Sequence, residues 1–199
     1  MKIVFFVRLT FAQAWRAYGI RGLTSWLAGL VTAIAQWYTE GGYDGYYELC
    51  HVGVLLPNGV LFESMPGGVR CVDFNRRAEA YAGTIITVPI ADRYCDRLSM
   101  RRVYWYVDRH LYDAYRWGGL PFAILQSLVG WQSPGAKFCS ELVVDLLVNC
   151  GVVPASLPVV RGNRIAWATV QAQRYAPCEV ARLPQLARNK MEVYRRGLD

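Results

Sequence analysis

The chain predicts an α+β fold, a small antiparallel sheet packed on helices. Short runs rich in Val, Ile, Leu and Phe read as strands at 2–8, 50–56, 60–65, 69–73 and 84–90. Stretches of helical periodicity flank them at 11–18, 23–39, 92–115, 120–129 and 139–150. Short antiparallel strands flanked by helices define the class. Asn163 to Gln173 and 185–196 are expected to add two more helices. A length of 199 residues favours a single domain. Its main part spans 1–154, and 155–199 forms a basic C-terminal extension packed on it. Hydrophobic residues make up 54% of the chain, with seven Trp and thirteen Tyr, so a sizeable core is within reach. There is no repeat and no low-complexity segment.

Strand 50–56 opens with one of only two histidines, His51, and strand 60–65 carries Glu63. Pro57-Asn58-Gly59 joins them. Pro fixes φ at the first corner, Asn tolerates the second, and Gly takes the left-handed slot of a three-residue bulged loop. In that register Leu56 faces Val60, Gly53 faces Glu63, and His51 lies diagonal to Glu63 on one sheet face. A two-residue Asn58-Gly59 turn would shift the register by one and send Glu63 to the opposite face. Pro57 favours the bulged loop. The plainer alternative is a half-buried hairpin with a polar His at its edge.

Far downstream, Gln132 to Lys137 reads as a loop. Val143, Leu146, Leu147 and Cys150 then follow helical spacing, ended by Gly151 and Pro154. Cys139 falls in the first turn of that helix. There the free N–H groups and the dipole favour a thiolate, and a following N–H can face a developing oxyanion. Cys95 and Cys150, inside helical patterns, fit the commoner role of buried structural cysteine. Thiol, imidazole and carboxylate together are the parts of an activated cysteine nucleophile.

His51-Val52-Gly53 on a strand, an acid on the next strand and Phe138-Cys139-Ser140-Glu141-Leu142 later resemble the permuted papain-like hydrolases of the NlpC superfamily, most closely the YiiX-like branch. His precedes Cys, the reverse of ordinary papain-type order. The resemblance covers about 1–155. It includes an entry strand at Ile3 to Val7, a helix from Leu23 to Thr39, and Tyr112-Asp113 followed by Gly118-Gly119. It implies a circularly permuted papain-like fold and a cysteine amidase or peptidase. Cys139 would be the nucleophile, His51 the base and later acid, and Glu63 the orienting carboxylate; the Cys139 N–H would help form the oxyanion hole. The implied substrates are peptide amides, peptidoglycan stems or N-acyl lipids, with lipid acyl transfer as a variant. Two features depart from the pattern: a long lead-in at 41–49, and Cys50 where a small polar residue is often found. A non-catalytic binding or structural module in a bacterial or viral assembly is the rival reading. Asp73, Asp113 and Glu141 stay open as contributors, Glu141 being the better fit for a helix N-terminal charge partner.

No cofactor or metal is expected. Six scattered cysteines show no C-x-x-C. A zinc site from Cys50, His51 and Cys71 is disfavoured, because strand alternation would point Cys50 and His51 to opposite faces. Ile3 to Val7 is too short for a signal-peptide core, so a cytoplasmic setting with reduced thiols is expected. Gly22 to Thr39 carries no charge over eighteen residues. Thr24, Ser25, Thr32, Gln36 and its glycines make it a poor membrane span. A packed or interfacial helix is expected, with Trp26, Trp37 and Tyr38 suited to peripheral membrane contact. The formal charge is +7, and residues 161–199 hold eight Arg or Lys against Glu179, Glu192 and Asp199. That region suits an anionic partner, although no nucleic-acid motif is present. Residues 92–116, with six Arg against four Asp, look like an exposed face laced with ion pairs.

Overall fold

The structure is a computed structural model that describes residues 1–40, 46–65, 67–115, 136–137, 139–161, 164–169 and 177–195. It is a mixed α and β protein built on a six-stranded sheet. The strands are β1 (Lys2–Val7), β2 (Leu49–Leu55), β3 (Val60–Met65), β4 (Gly68–Asp73), β5 (Thr84–Pro89) and, last in the chain, β10 (Glu192–Arg195). Their order is β10-β5-β1-β2-β3-β4, with every neighbouring pair antiparallel. Central β1 is a continuous apolar run because both faces of the sheet are covered. Ile3 and Phe5 join one core with Val52, Val54 and Phe62, while Val4 and Phe6 join another with Leu61, Phe74 and Ile85.

Helix α1 (Phe11–Tyr18) starts at a capping box. Thr10 accepts from the Gln13 N–H, and the Gln13 side chain returns to the Thr10 backbone. Helix α2 (Ile20–Glu40) folds back against it. Gly22 permits the close approach, since a side chain there would run into the Ala14 carbonyl. After β4 comes α3 (Phe74–Ala80), capped by Asp73. The stretch expected as one helix over 92–115 is two, α4 (Asp92–Cys95) and α5 (Met100–His110). The break has a local cause: the Ser99 side chain caps α5 through the Arg102 N–H, while the Ser99 N–H is drawn to the Cys150 carbonyl. As a result Cys95 is exposed rather than buried, while Cys150 is buried as expected. Arg93 and Arg109 lie over the rings of Tyr94 and Trp105.

Two-residue strands β6 (Ala114–Tyr115) and β7 (Ala136–Lys137) pair in parallel. Helix α6 (Cys139–Asn149) then packs Leu142, Val143, Leu146 and Leu147 into the core beneath Val52 and Val54. Hairpin β8 (Ser156–Arg161) and β9 (Arg164–Thr169) replaces the helix expected to begin at Asn163. Ile165, Trp167 and Thr169 alternate along the β9 sequence, and antiparallel pairing with β8 holds it as a strand. Helix α7 (Pro177–Ala181) adds Val180 and Ala181 to the main core. The helix expected at 185–196 is instead a 3₁₀ turn at Arg188–Lys190 followed by β10. There the edge of β5 takes the backbone, through Ala187 N–H to Pro89 O and the Val193–Ile86 register. The C-terminal extension therefore completes the sheet of the main domain. The expected helix at 120–129 and the Gly118-Gly119 pair lie outside the described residues, as does Phe138.

Candidate active site

The β2–β3 register fixes the first two side chains. Gly53 pairs with Glu63 and Leu55 with Leu61, and the Leu56 N–H bonds to the Val60 carbonyl. Gly59 takes φ +81°, the left-handed slot of the bulged loop. This is the register in which His51 lies diagonal to Glu63. Glu63 Oε2 is 2.9 Å from His51 Nε2, and Glu63 is fully buried. Gly53, between them on this face, has a structural reason. A Cβ there would sit 3.0 Å from the Phe62 carbonyl oxygen and 3.3 Å from Glu63 Cβ.

The other carboxylate oxygen, Oε1, accepts from Arg70 Nη2 at 2.7 Å and Nε at 3.0 Å, and from Arg77 Nε at 3.3 Å. Arg77 reaches in from α3 and lies over the Phe6 ring, 4.7 Å from its centroid. The His51 ring rests on the same Phe6 at 5.1 Å. Each Glu63 oxygen is thus held by a cation or imidazole, so this buried charge is compensated on both sides.

Cys139 opens α6 and is buried at the base of the site. Its sulfur shares a hydrogen bond with the His51 imidazole. Because Nε2 engages Glu63, Nδ1 is the ring nitrogen left for the thiol. The backbone N–H groups of Val52 and Ser140 also donate to the sulfur. The Val52 donor is free for this because of the sheet. Alternation from Leu56 aims the Val52 N–H toward β3, but the β2–β3 ladder ends at Gly53.

Burial alone would raise the Cys139 pKa. The charge and hydrogen bond of His51, then the two N–H donors, outweigh it and hold the thiol below its ordinary value. Burial alone would lower His51, but the charge and hydrogen bond of Cys139, followed by Glu63, push it up to about 9. For Glu63 burial is again opposed, here by the hydrogen bond and charge of His51 and then by Arg77 and Arg70, and its pKa falls to about 2. All three shifts favour a thiolate, an imidazolium and a carboxylate in one buried row.

The alternation argument that sent Cys50 away from His51 fails. A β-bulge where β1 passes from Phe6 to Val7 shifts the register, pairing Val7 with Leu49. Cys50 then packs in the Phe6–Tyr81 cluster that His51 also touches, and bonds to the Phe6 carbonyl. Burial pushes its thiol up to about 11, partly offset by Tyr81, so it stays protonated. Among the described residues no group of three or more His, Cys, Asp and Glu could hold a metal ion. Of the acids left open, Asp73 caps α3, Asp113 pairs with His110 at 2.6 Å and Glu141 lies in the first turn of α6.

The sequence reading missed Arg70, Arg77 and the Val52 N–H. Arg70 was within reach, because pairing 60–65 with 69–73 sets it opposite Glu63. Arg77 was not, because α3 went unread; Asp73 ahead of Phe74 was its only start signal. No family model, no curated protein and no solved structure matches the chain.

Proposed function

We propose that the chain is a cysteine-dependent hydrolase of the amidase or peptidase type, with the permuted papain-like arrangement of the NlpC superfamily. Cys139, His51 and Glu63 are its catalytic residues. The observation that carries this reading is the buried thiol–imidazole–carboxylate row, with its far end clamped by Arg70 and Arg77.

In the proposed cycle the Cys139 thiolate attacks the substrate carbonyl carbon. The carbonyl electron pair moves onto oxygen, which the Cys139 N–H faces. The intermediate collapses, the amine leaves with the proton of the His51 imidazolium, and an acyl thioester remains. Neutral His51 then takes a proton from water, whose oxygen attacks the thioester. The acid departs and the thiolate–imidazolium pair returns. Glu63 keeps the ring oriented and stabilises its positive form. Replacing water by another acceptor would turn the same site to acyl transfer.

The test is intact-mass detection of a hydroxylamine-labile acyl adduct on Cys139 during incubation with peptide amides, peptidoglycan stem peptides and N-acyl lipids. The proposal expects an adduct and turnover in wild type, and neither thioester nor turnover in Cys139→Ser. A folded wild type that forms no adduct with any of these classes would favour the non-catalytic binding module.

A further inference from the structure

The α1–α2 hairpin has an apolar outer side. Ile20, Leu27, Ile34 and Trp37 are each at least half exposed. Their spacing of seven and three residues keeps them on one stripe of α2. The inner side of α2 is small and buried at Gly22, Gly29 and Ala33. On α1, Phe11 and Trp15 are half exposed and stacked, and Phe11 meets Trp26 of α2 edge-on at 5.5 Å, joining the two stripes. Apolar surface this continuous is uncommon on a monomer and marks an interaction site. Among the described residues no helix is long and apolar enough to cross a membrane.

Charge narrows the occupant. The first 39 residues contain no Asp or Glu. Arg16 and Arg21 are exposed on the hairpin itself. A second copy of the chain would bring a single acid on its own hairpin, Glu40 at the far end of α2. An anionic bilayer offers apolar depth and negative headgroups together, and aromatic side chains suit its interface.

We propose that the α1–α2 hairpin docks flat on an anionic lipid bilayer. This surface stands apart from the chemistry of Cys139. Helix α2 also packs against β2, the strand that carries His51. If the hydrolase reading holds as well, the docked face sets the site beside the bilayer and favours acyl lipids as its substrate class.

The test uses the full chain with vesicles of phosphatidylcholine, alone or mixed with phosphatidylglycerol. Sedimentation should show binding to the mixed vesicles that weakens with salt, accompanied by a blue shift of tryptophan emission. Leu27→Asp and the double change Arg16→Glu with Arg21→Glu should each weaken binding by at least about tenfold, with unchanged circular dichroism because these side chains are exposed. Cys139→Ser should bind like wild type, so loss of turnover with retained binding separates this inference from the hydrolase reading. Absence of binding, or equal binding to both vesicle types by every variant, would overturn it. A dimer in light scattering that Leu27→Asp converts to monomer would also overturn it, by assigning the face to a second copy.

Discussion

At Glu63 the site depends on a carboxylate whose two oxygens have different tasks. Oε2 orients His51, and Oε1 is held by Arg70 and Arg77. The geometry works only if Gly53 leaves room between them. Gly53→Ala is therefore expected to spread β2 from β3 or tilt Glu63, because the added Cβ would meet the Phe62 backbone carbonyl at 3.0 Å, and moving the Leu61 side-chain end, also at 3.0 Å, would not relieve that contact. Overpacking of this kind costs about 1–3 kcal/mol. A thermal melt should read that loss, and Cys139 reactivity should fall with it. Unchanged melting and reactivity would mean that the strands absorb the methyl without moving the carboxylate. His51, Glu63 and Cys139 were all legible in the sequence, because strand register and helix-start chemistry place them. The Val52 donor was not, because it depends on where a ladder stops.

Among the elements, α6 sets the position of Cys139. Its Leu142, Val143, Leu146 and Leu147 are fully buried beneath the β2 strand, so the first turn is only as well placed as that seam. Leu146→Ala should cost about 2–5 kcal/mol by cavity formation, measurable by denaturant unfolding. A cost below about 1 kcal/mol would show a seam that collapses freely. Strands β1 to β5 were readable from apolar runs and turn residues, and α6 from its period. The misread elements have particular causes. Ser99 splits the 92–115 stretch, a hairpin partner makes 164–169 a strand, and the open edge of β5 recruits Glu192 to Arg195. The last two are tertiary pairings that local propensity does not encode.

For the whole molecule, the linkage between protonation and stability has a specific form. The Glu63 pKa falls from 4.5 to about 2 on folding. Its contribution is therefore present above pH 4.5 and lost as pH drops from there through 2. His51, raised from 6.5 to about 9, contributes below 6.5 and loses that as pH rises through 9. Cys139, lowered from 9.0, contributes in full above 9 and loses that as pH falls. Between 6.5 and 9 the last two slopes oppose and cancel, since folding only moves one proton from sulfur to nitrogen. Unfolding free energy measured in urea should thus show no slope from this pair over that range, a decline as pH falls below 6.5, and a steeper one below 4.5 where Glu63 adds to it. Stability that falls steeply from 6.5 to 9, and no longer does so in His51→Ala, would mean that Cys139 keeps its proton beside a charged His51 and that the ion pair does not form.

The central claim is that Cys139 and His51 rest as a thiolate–imidazolium pair. Its most direct test is the pH dependence of iodoacetamide labelling, resolved cysteine by cysteine by mass spectrometry, in wild type, His51→Ala and Glu63→Gln. The predicted result is fast Cys139 labelling that persists well below the range of a free thiol of pKa ~8.5. In His51→Ala, Cys139 should lose its low-pH reactivity, and Glu63→Gln should shift it part of the way. Cys139 labelling that tracks an ordinary thiol in all three proteins would contradict the claim.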